Sequence, residues 1–143
     1  MKRIFDVIVS LVILMIFLPF GIVIALIIAF TSKGGVFYIQ ERIGKDAQPF
    51  GLFKFRTMSI GADKQGKLTV GMRDSRITKI GYFLRKYKLD EFPQFLNVLF
   101  GTMSVVGPRP EVKEYTDLYN ESQKEVLNVK PGITDLASLE YFN

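Results

Sequence analysis

Residues 11–30 are all apolar or Gly/Pro, and this run constrains the chain more than any other feature. At about 1.5 Å per residue, a helix of roughly 20 residues crosses the roughly 30 Å hydrocarbon core of a bilayer. A secretory signal fits less well, because the run exceeds a typical signal core and no clear Ala-x-Ala site follows it. Two conformations stay open. A straight span is the simpler, since proline-kinked spanning helices are common. A re-entrant hairpin that dips into one leaflet and returns is the other, because Pro19 removes a backbone hydrogen bond near the middle and Gly21 follows it. Lys2 and Arg3 precede the run and Lys33, Arg42 and Lys45 follow it, so flanking charge does not choose an inside.

Residues 1–32 thus form a membrane segment, and residues 33–143 remain as one small domain whose active site would be shallow or shared. Nineteen Lys and Arg against fourteen Asp and Glu give a net charge of +5. The partner is therefore anionic: nucleic acid, acidic lipid or a phosphorylated small molecule. The chain has no Cys and no His. Disulfides, thiolate nucleophiles, Ser-His-Asp triads and His- or Cys-ligated zinc are excluded within it. Acid-base or nucleophilic work falls to carboxylates, Lys, Tyr or hydroxyls, and any bound metal would be a hard ion such as Mg²⁺. There is no Walker or dinucleotide glycine pattern. Aromatic and basic residues alternate as in single-strand binders, but the membrane segment argues against a nucleic-acid partner.

In the soluble part, Val36-Phe37-Tyr38-Ile39 reads as a short strand and the chain turns near Gln48-Pro49. In Leu52-Phe53-Lys54-Phe55-Arg56, alternation places Phe53 and Phe55 on one face and Lys54 with Arg56 on the other. Such a two-cation rail suits a phosphate, although a solvated edge strand looks the same. Residues 60–70 read as a Gly- and Lys-bearing loop. A helical pattern follows at Ile77, Ile80, Phe83, Leu84 and Tyr87, decorated by Arg76, Lys79, Arg85, Lys86 and Lys88, whose charge also suits an anionic membrane surface. Another helix is expected over 111–128, and Lys130-Pro131-Gly132-Ile133-Thr134 reads as a turn.

The pattern Phe92, Phe95, Leu96, Leu99, Phe100 marks one buried helix face, with Gly101 as its stop. Asp90 then falls at the N-cap and Pro93 in the first turn. By residue type alone, Asp90 is a good cap and Glu91 complements the helix dipole. The same geometry serves chemistry, since a helix N-terminus keeps a carboxylate ionised and offers N–H groups to a phosphate. One carboxylate would attack phosphorus while its neighbour holds Mg²⁺ or relays a proton. Downstream, Arg109 sits between Pro108 and Pro110, which limit how far its guanidinium wanders, and Arg clamps phosphate with paired hydrogen bonds.

Several blocks together resemble the bacterial sugar transferases, small monotopic phosphoglycosyl transferases that act on polyprenol phosphate. They are Lys54-Phe55-Arg56-Thr57-Met58, Asp74-Ser75-Arg76-Ile77-Thr78, Leu84-Arg85, Leu89-Asp90-Glu91-Phe92-Pro93-Gln94, Asn97-Val98-Leu99, Met103 through Pro110, and Lys130-Pro131-Gly132-Ile133-Thr134. The resemblance implies an α+β, mainly helical fold. Its membrane helix would be re-entrant and bent at Pro19, followed by a cytoplasmic domain with short strands and interfacial amphipathic helices. It implies residence on the cytoplasmic face of a bacterial inner membrane and a ping-pong reaction. Asp90 would attack the β-phosphate of a UDP-sugar and release UMP. Polyprenol phosphate, undecaprenyl phosphate above all, would then take the sugar phosphate. Glu91 would assist with Mg²⁺ or the proton, Asp90 and Glu91 would hold the metal, and Arg109, Arg85, Lys54 and Arg56 would surround the phosphates.

Three positions depart from the family pattern. Leu18-Pro19 stands where many relatives carry Ser-Pro, Thr102 stands where many carry Asp, and the sequence ends at Asn143 where small relatives continue. A C-terminally truncated chain is the expectation. An apolar face left uncovered by lipid would support a homodimer. The competing reading is a membrane-anchored adaptor without catalysis, its basic face docked on acidic lipid; the co-occurrence of Asp90-Glu91 with Arg109 counts against it, because an acidic pair hinders such adsorption.

Overall fold

The computed structural model describes residues 1–62 and 74–135. Helix and strand are mixed, and the apolar run lies inside one long helix, α1 (Lys2–Thr31). Among the described residues, α1 is the one helix long and apolar enough to cross a membrane on length and composition. Its most apolar stretch has a mean hydropathy of 3.2, and only 6% of that stretch is buried within the protein. It is unbroken at Pro19. Large apolar side chains such as Met15, Leu18, Phe20 and Val23 point outward, as a helix surrounded by lipid requires.

Strands β1 (Phe37–Ile43) and β2 (Pro49–Phe55) form a two-stranded sheet. The Gly44 N–H closes their connection on the Gln48 carbonyl at 2.8 Å. The strand expected at 36–39 therefore runs further, with exposed and half-buried residues alternating up to Ile43. The chain then divides into two compact units, each assembled from separate segments.

The first unit comprises Met1–Ile16, Ile39–Phe53 and Gln94–Asn143. Its core is Leu52, Val98 and Met103, with Phe50, Val105 and Ile133 packed on them. Helix α3 (Gln94–Phe100) buries Asn97 and Val98. The Asn97 amide accepts from the Phe53 N–H at 2.9 Å and donates to the Gly51 carbonyl at 2.7 Å, so one buried polar side chain stitches α3 to β2. Gly101 ends α3 in the left-handed region at φ 87°, where glycine meets no Cβ penalty. Thr102 hydrogen-bonds the Asn97 side chain at 3.2 Å and joins the same junction.

Strand β3 (Ser104–Val106) pairs in parallel with β4 (Gly132–Thr134), Ser104 opposite Gly132 and Val106 opposite Thr134. The segment read as a turn is thus a strand. Its glycine is required by contact: a Cβ on Gly132 would run into the Gly107 backbone, and one on Gly107 into Lys130 and Gly132. The single helix expected over 111–128 is also corrected. It forms as α4 (Lys113–Thr116), α5 (Glu121–Lys124) and a 3-10 turn at Glu125–Asn128. Asn120 restarts the helix as an N-cap, completing a capping box with Gln123, and its side chain competes with the backbone for hydrogen bonds in a helix interior.

The first turns of α1 belong to this unit and are held by charge. Lys2 donates to the Val106 carbonyl at 3.1 Å, and Arg3 donates to the Val98 and Leu99 carbonyls at the C-terminal end of α3. Asp6 is buried and accepts from the Ser104 hydroxyl at 2.9 Å and the Val105 N–H at 3.0 Å.

The second unit comprises Phe17–Tyr38 and Lys54–Pro93. Ile28 from α1, Phe55 from β2 and Leu84 from α2 form its core, joined by Ile24, Val36, Ile80, Leu89 and Phe92. Helix α2 (Lys79–Lys86) starts at Thr78, whose hydroxyl accepts from the Gly81 N–H at 3.0 Å. The loop expected over 60–70 falls largely on residues 63–73, outside the described residues.

Candidate active site

After α2 the chain turns sharply. Tyr87 ends the helix, and Lys88 adopts a left-handed backbone, φ 54° and ψ 24°, which costs a non-glycine residue on the order of 1 kcal/mol. Leu89–Glu91 then form one 3-10 turn and α3 begins only at Gln94. Asp90 is therefore not the N-cap of α3, as the spacing predicts. The acids sit in a turn closed on the Leu89 carbonyl, and Pro93, which has no N–H to donate, directly precedes the helix. The Phe92 N–H takes that carbonyl, at 3.3 Å, tightening the turn. Apolar neighbours grip the turn on both sides of the acids. Leu89 and Phe92 pack on the Ile28–Phe55–Leu84 cluster, and Phe92 lies against Phe17 of α1 with ring centroids 4.1 Å apart.

The carboxyl group of Asp90 is 9% exposed by residue. Burial pushes its pKa up, the neighbouring Glu91 charge pushes it further, and Lys54 and Arg85 oppose the rise without cancelling it. The shift runs opposite to the one that a helix terminus would give a carboxyl. Desolvation and like charge dominate where the cap geometry is absent. Glu91 Oε1 lies 3.5 Å from the Lys54 ammonium, both side chains less than one-fifth exposed. Arg85, in the last turn of α2, donates from Nε to the Thr57 hydroxyl at 2.9 Å. Asp90, Glu91, Lys54 and Arg85 thus act on one another inside one unit, two acids between two cations.

The other candidates have different surroundings. The two cations of the expected rail have different partners. Lys54 turns to Glu91, whereas Arg56 donates to the Gly35 and Phe37 carbonyls at 2.9 and 3.0 Å and lies over the Tyr38 ring. Asp74 is held down to about 2 by its hydrogen bonds to Arg76, 2.6 Å at the shortest. That pair is occupied with fixing its own loop, since Arg76 also donates to the Ala62 carbonyl at 2.8 Å. Arg109 belongs to the first unit. Its loop is fixed on both sides, by the Pro108 carbonyl accepting from Gly132 at 2.9 Å and the Pro110 carbonyl from Arg42 at 3.2 Å. Arg109 lines a small cleft there with Glu111 and Tyr119. Burial and Glu111 push the Tyr119 phenol up.

Among the described residues no three acidic side chains gather into a metal cage. Asp90 and Glu91 are nonetheless a fitting pair for Mg²⁺, which commonly takes one or two carboxylates and completes its shell with water and substrate phosphate. The like-charge strain on Asp90 is what such a cation relieves. Sequence reasoning quotes Thr57 inside a family block without a role of its own, and passes over Asp6. A lone hydroxyl carries no periodic signal, and a single acid beside an apolar run reads only as a flank.

Comparison with known proteins fits this geometry. The family described as bacterial sugar transferase matches residues 1–143. A UDP-glucose:undecaprenyl-phosphate glucose-1-phosphate transferase of Klebsiella pneumoniae is 44% identical, covering 96% of this chain and 30% of that protein. A UDP-N-acetylgalactosamine-undecaprenyl-phosphate N-acetylgalactosaminephosphotransferase of Aeromonas hydrophila is 34% identical, covering 96% of this chain and 33% of that protein. The exopolysaccharide production protein ExoY of Rhizobium meliloti is 39% identical, covering 94% of this chain and 66% of its own length. The chain therefore spans about a third of two of these relatives and about two thirds of the other. With the whole of its length matched, the chain belongs to the bacterial sugar transferase family.

Proposed function

We propose that this chain transfers a sugar 1-phosphate from a UDP-sugar to undecaprenyl phosphate, through a covalent intermediate on Asp90. The observation that carries the reading is the buried Asp90 carboxyl beside Glu91, with the Lys54 and Arg85 charges opposing its rise. A desolvated carboxylate is a stronger nucleophile than a hydrated one, and flanking cations attract the pyrophosphate that it attacks. One Asp90 oxygen bonds to the β-phosphorus, the bond from that phosphorus to the bridging oxygen breaks, and UMP leaves with the electron pair. A phosphate oxygen of undecaprenyl phosphate then attacks the same phosphorus, and the Asp90 oxygen leaves as carboxylate. Glu91, held by Lys54, takes the proton of the incoming phosphate. Lys54 and Arg85 contact phosphate oxygens, with Arg56 in a mainly backbone-fixing role. Mg²⁺ held by Asp90 and Glu91 would supply charge neutralisation on the pyrophosphate.

The acceptor is a lipid, and the acidic turn packs through Phe92 onto Phe17 of the apolar helix. That contact supports a nucleophile working close to a polyprenol headgroup. In this reading α1 is re-entrant, bent at Pro19, with residues 33–143 on the cytoplasmic face of a bacterial inner membrane.

The test uses membranes holding the full-length protein with Mg²⁺, undecaprenyl phosphate and a panel that includes UDP-glucose and UDP-N-acetylgalactosamine, the sugars of two relatives. UMP release from one donor is expected, with a stoichiometric burst when the acceptor is left out. Asp90→Asn is expected to lower turnover by more than about 10³-fold, the scale of losing a nucleophile. Full turnover by that variant would overturn the assignment. Salt-sensitive membrane binding with no UMP release from any donor would favour the adaptor.

A further inference from the structure

We infer that Thr57 is a positioning residue, whose hydroxyl fixes the Arg85 guanidinium for the anion that the carboxylate turn receives. Three separate contacts tie this residue to α2. Its carbonyl accepts from the Thr78 N–H at 2.9 Å and from the Thr78 hydroxyl at 3.2 Å, so it sets where α2 starts. Its backbone meets Gly81 so closely that a Cβ there would collide with the Thr57 Cα, carbonyl carbon and oxygen. Its hydroxyl accepts from Arg85 Nε at 2.9 Å, at the far end of the same helix.

The first two contacts place the helix, and the third places the charge. Thr57 is buried at 6% exposure, where a neutral hydroxyl acceptor is unusual as the chosen partner of a guanidinium, since a carboxylate would bind it more strongly. A hydroxyl holds the Arg85 plane by Nε without neutralising its charge or using its two Nη groups, the fork that grips phosphate in parallel hydrogen bonds. Contrast Arg76, whose Nε and Nη2 both go to Asp74. In one unit, one arginine is spent on a carboxylate and the other is held by a hydroxyl with its charge intact.

The inference rests on the transferase reading for the identity of the anion, and its test separates the two. Affinity for UDP is measured calorimetrically on the full-length protein for Thr57→Val, Thr57→Ser, Arg85→Lys and the Thr57→Val/Arg85→Lys pair. Thr57→Val keeps the shape and the backbone contacts while removing the acceptor. It is expected to weaken UDP binding roughly five- to tenfold, the scale of one lost hydrogen-bonding partner. Thr57→Ser is expected to restore binding to within about twofold. In the Arg85→Lys background, Thr57→Val is expected to cost nothing further, because residues acting through one another are not additive. Unchanged binding in Thr57→Val, or an equal loss on top of Arg85→Lys, overturns the inference, as does a wild-type protein that does not bind UDP. The expected pattern without UMP release from any UDP-sugar would leave Thr57 in its role and overturn the transferase.

Discussion

Two buried aspartates, one in each unit, have opposite surroundings. Asp6 is 4% exposed and surrounded by donors: the Ser104 hydroxyl reaches both its carboxylate oxygens, at 3.1 and 2.9 Å, and the Val105 N–H one of them, at 3.0 Å. Asp90 is 9% exposed, and its nearest charged neighbour in sequence is another carboxylate, which with burial drives its pKa upward. The first is a buried charge whose hydrogen bonds compensate its desolvation, a structural arrangement. The second is a buried charge left partly uncompensated, which a fold tolerates at a site where chemistry uses it. Burial alone does not mark a functional acid; the kind of neighbour does.

The largest effects should separate the two by readout. Asp90→Asn is expected to abolish turnover while leaving the thermal midpoint unchanged or raised, because it removes a desolvated charge. A clear fall in midpoint would mean that Asp90 is as structural as Asp6. Asp6→Ala is expected to act in the other direction, leaving the Ser104 hydroxyl and Val105 N–H without their acceptor. The cost should be about 1–3 kcal/mol, read as a lower midpoint in detergent. A loss below about 0.5 kcal/mol would show that Lys2 and Arg3 hold the start of α1 without it.

A smaller effect follows from Glu91→Gln. Glu91 raises the Asp90 pKa and also occupies Lys54, so the amide removes a repulsion and releases a cation toward Asp90. Both changes lower the Asp90 pKa. The acid limb of kcat/KM is therefore expected to move to lower pH, even as kcat falls through loss of the Glu91 carboxylate. An acid limb that stays put would assign the limb to another group.

How much of this was legible in sequence depends on the range of the physics involved. The Gly101 stop follows from local backbone preference and appears as read, but the apolar faces do not: α3 buries Gln94, Asn97 and Val98 and leaves Phe100 exposed, and α2 buries Leu84 while Phe83 and Tyr87 are exposed, because tertiary packing and not periodicity chooses the covered face. The cap at Asp90 failed because Leu89–Glu91 close a 3-10 turn of their own, with the Phe92 N–H on the Leu89 carbonyl, before α3 begins at Gln94. Lys54 and Arg56 take different partners because Glu91 and the Gly35 and Phe37 carbonyls reach them from other stretches of the chain, which local alternation does not read. The Pro131-Gly132-Ile133-Thr134 segment looked like a turn because proline and glycine mark turns. Its strand character comes from Gly107, far along the chain, whose backbone leaves room for no side chain at Gly132. For the site, the acids, Lys54 and Arg85 were found by charge and motif. Thr57 was not, since what makes it useful is a distance to Arg85 across a helix.

The least conspicuous consequence of the Asp6 and Asp90 contrast lies in how stability varies with pH. Asp90 has a folded pKa above the 3.8 of an unperturbed carboxyl, so between those two values the folded state holds a proton that the unfolded state has released. Stability must then fall as pH rises through that window, from just below 3.8 to the raised folded value, because the unfolded state binds fewer protons there. Asp74 has the opposite sign: its folded pKa of about 2 means that its contribution is present above 3.8 and lost as pH falls toward 2. Comparing urea midpoints of wild type and Asp90→Asn across pH 3 to 7 isolates the first term, since Asp74 is common to both. The difference between the two proteins is expected to grow with pH in favour of Asp90→Asn and to level off above the Asp90 pKa. A difference that is flat across the range would mean that burial and the Glu91 charge do not raise the Asp90 pKa.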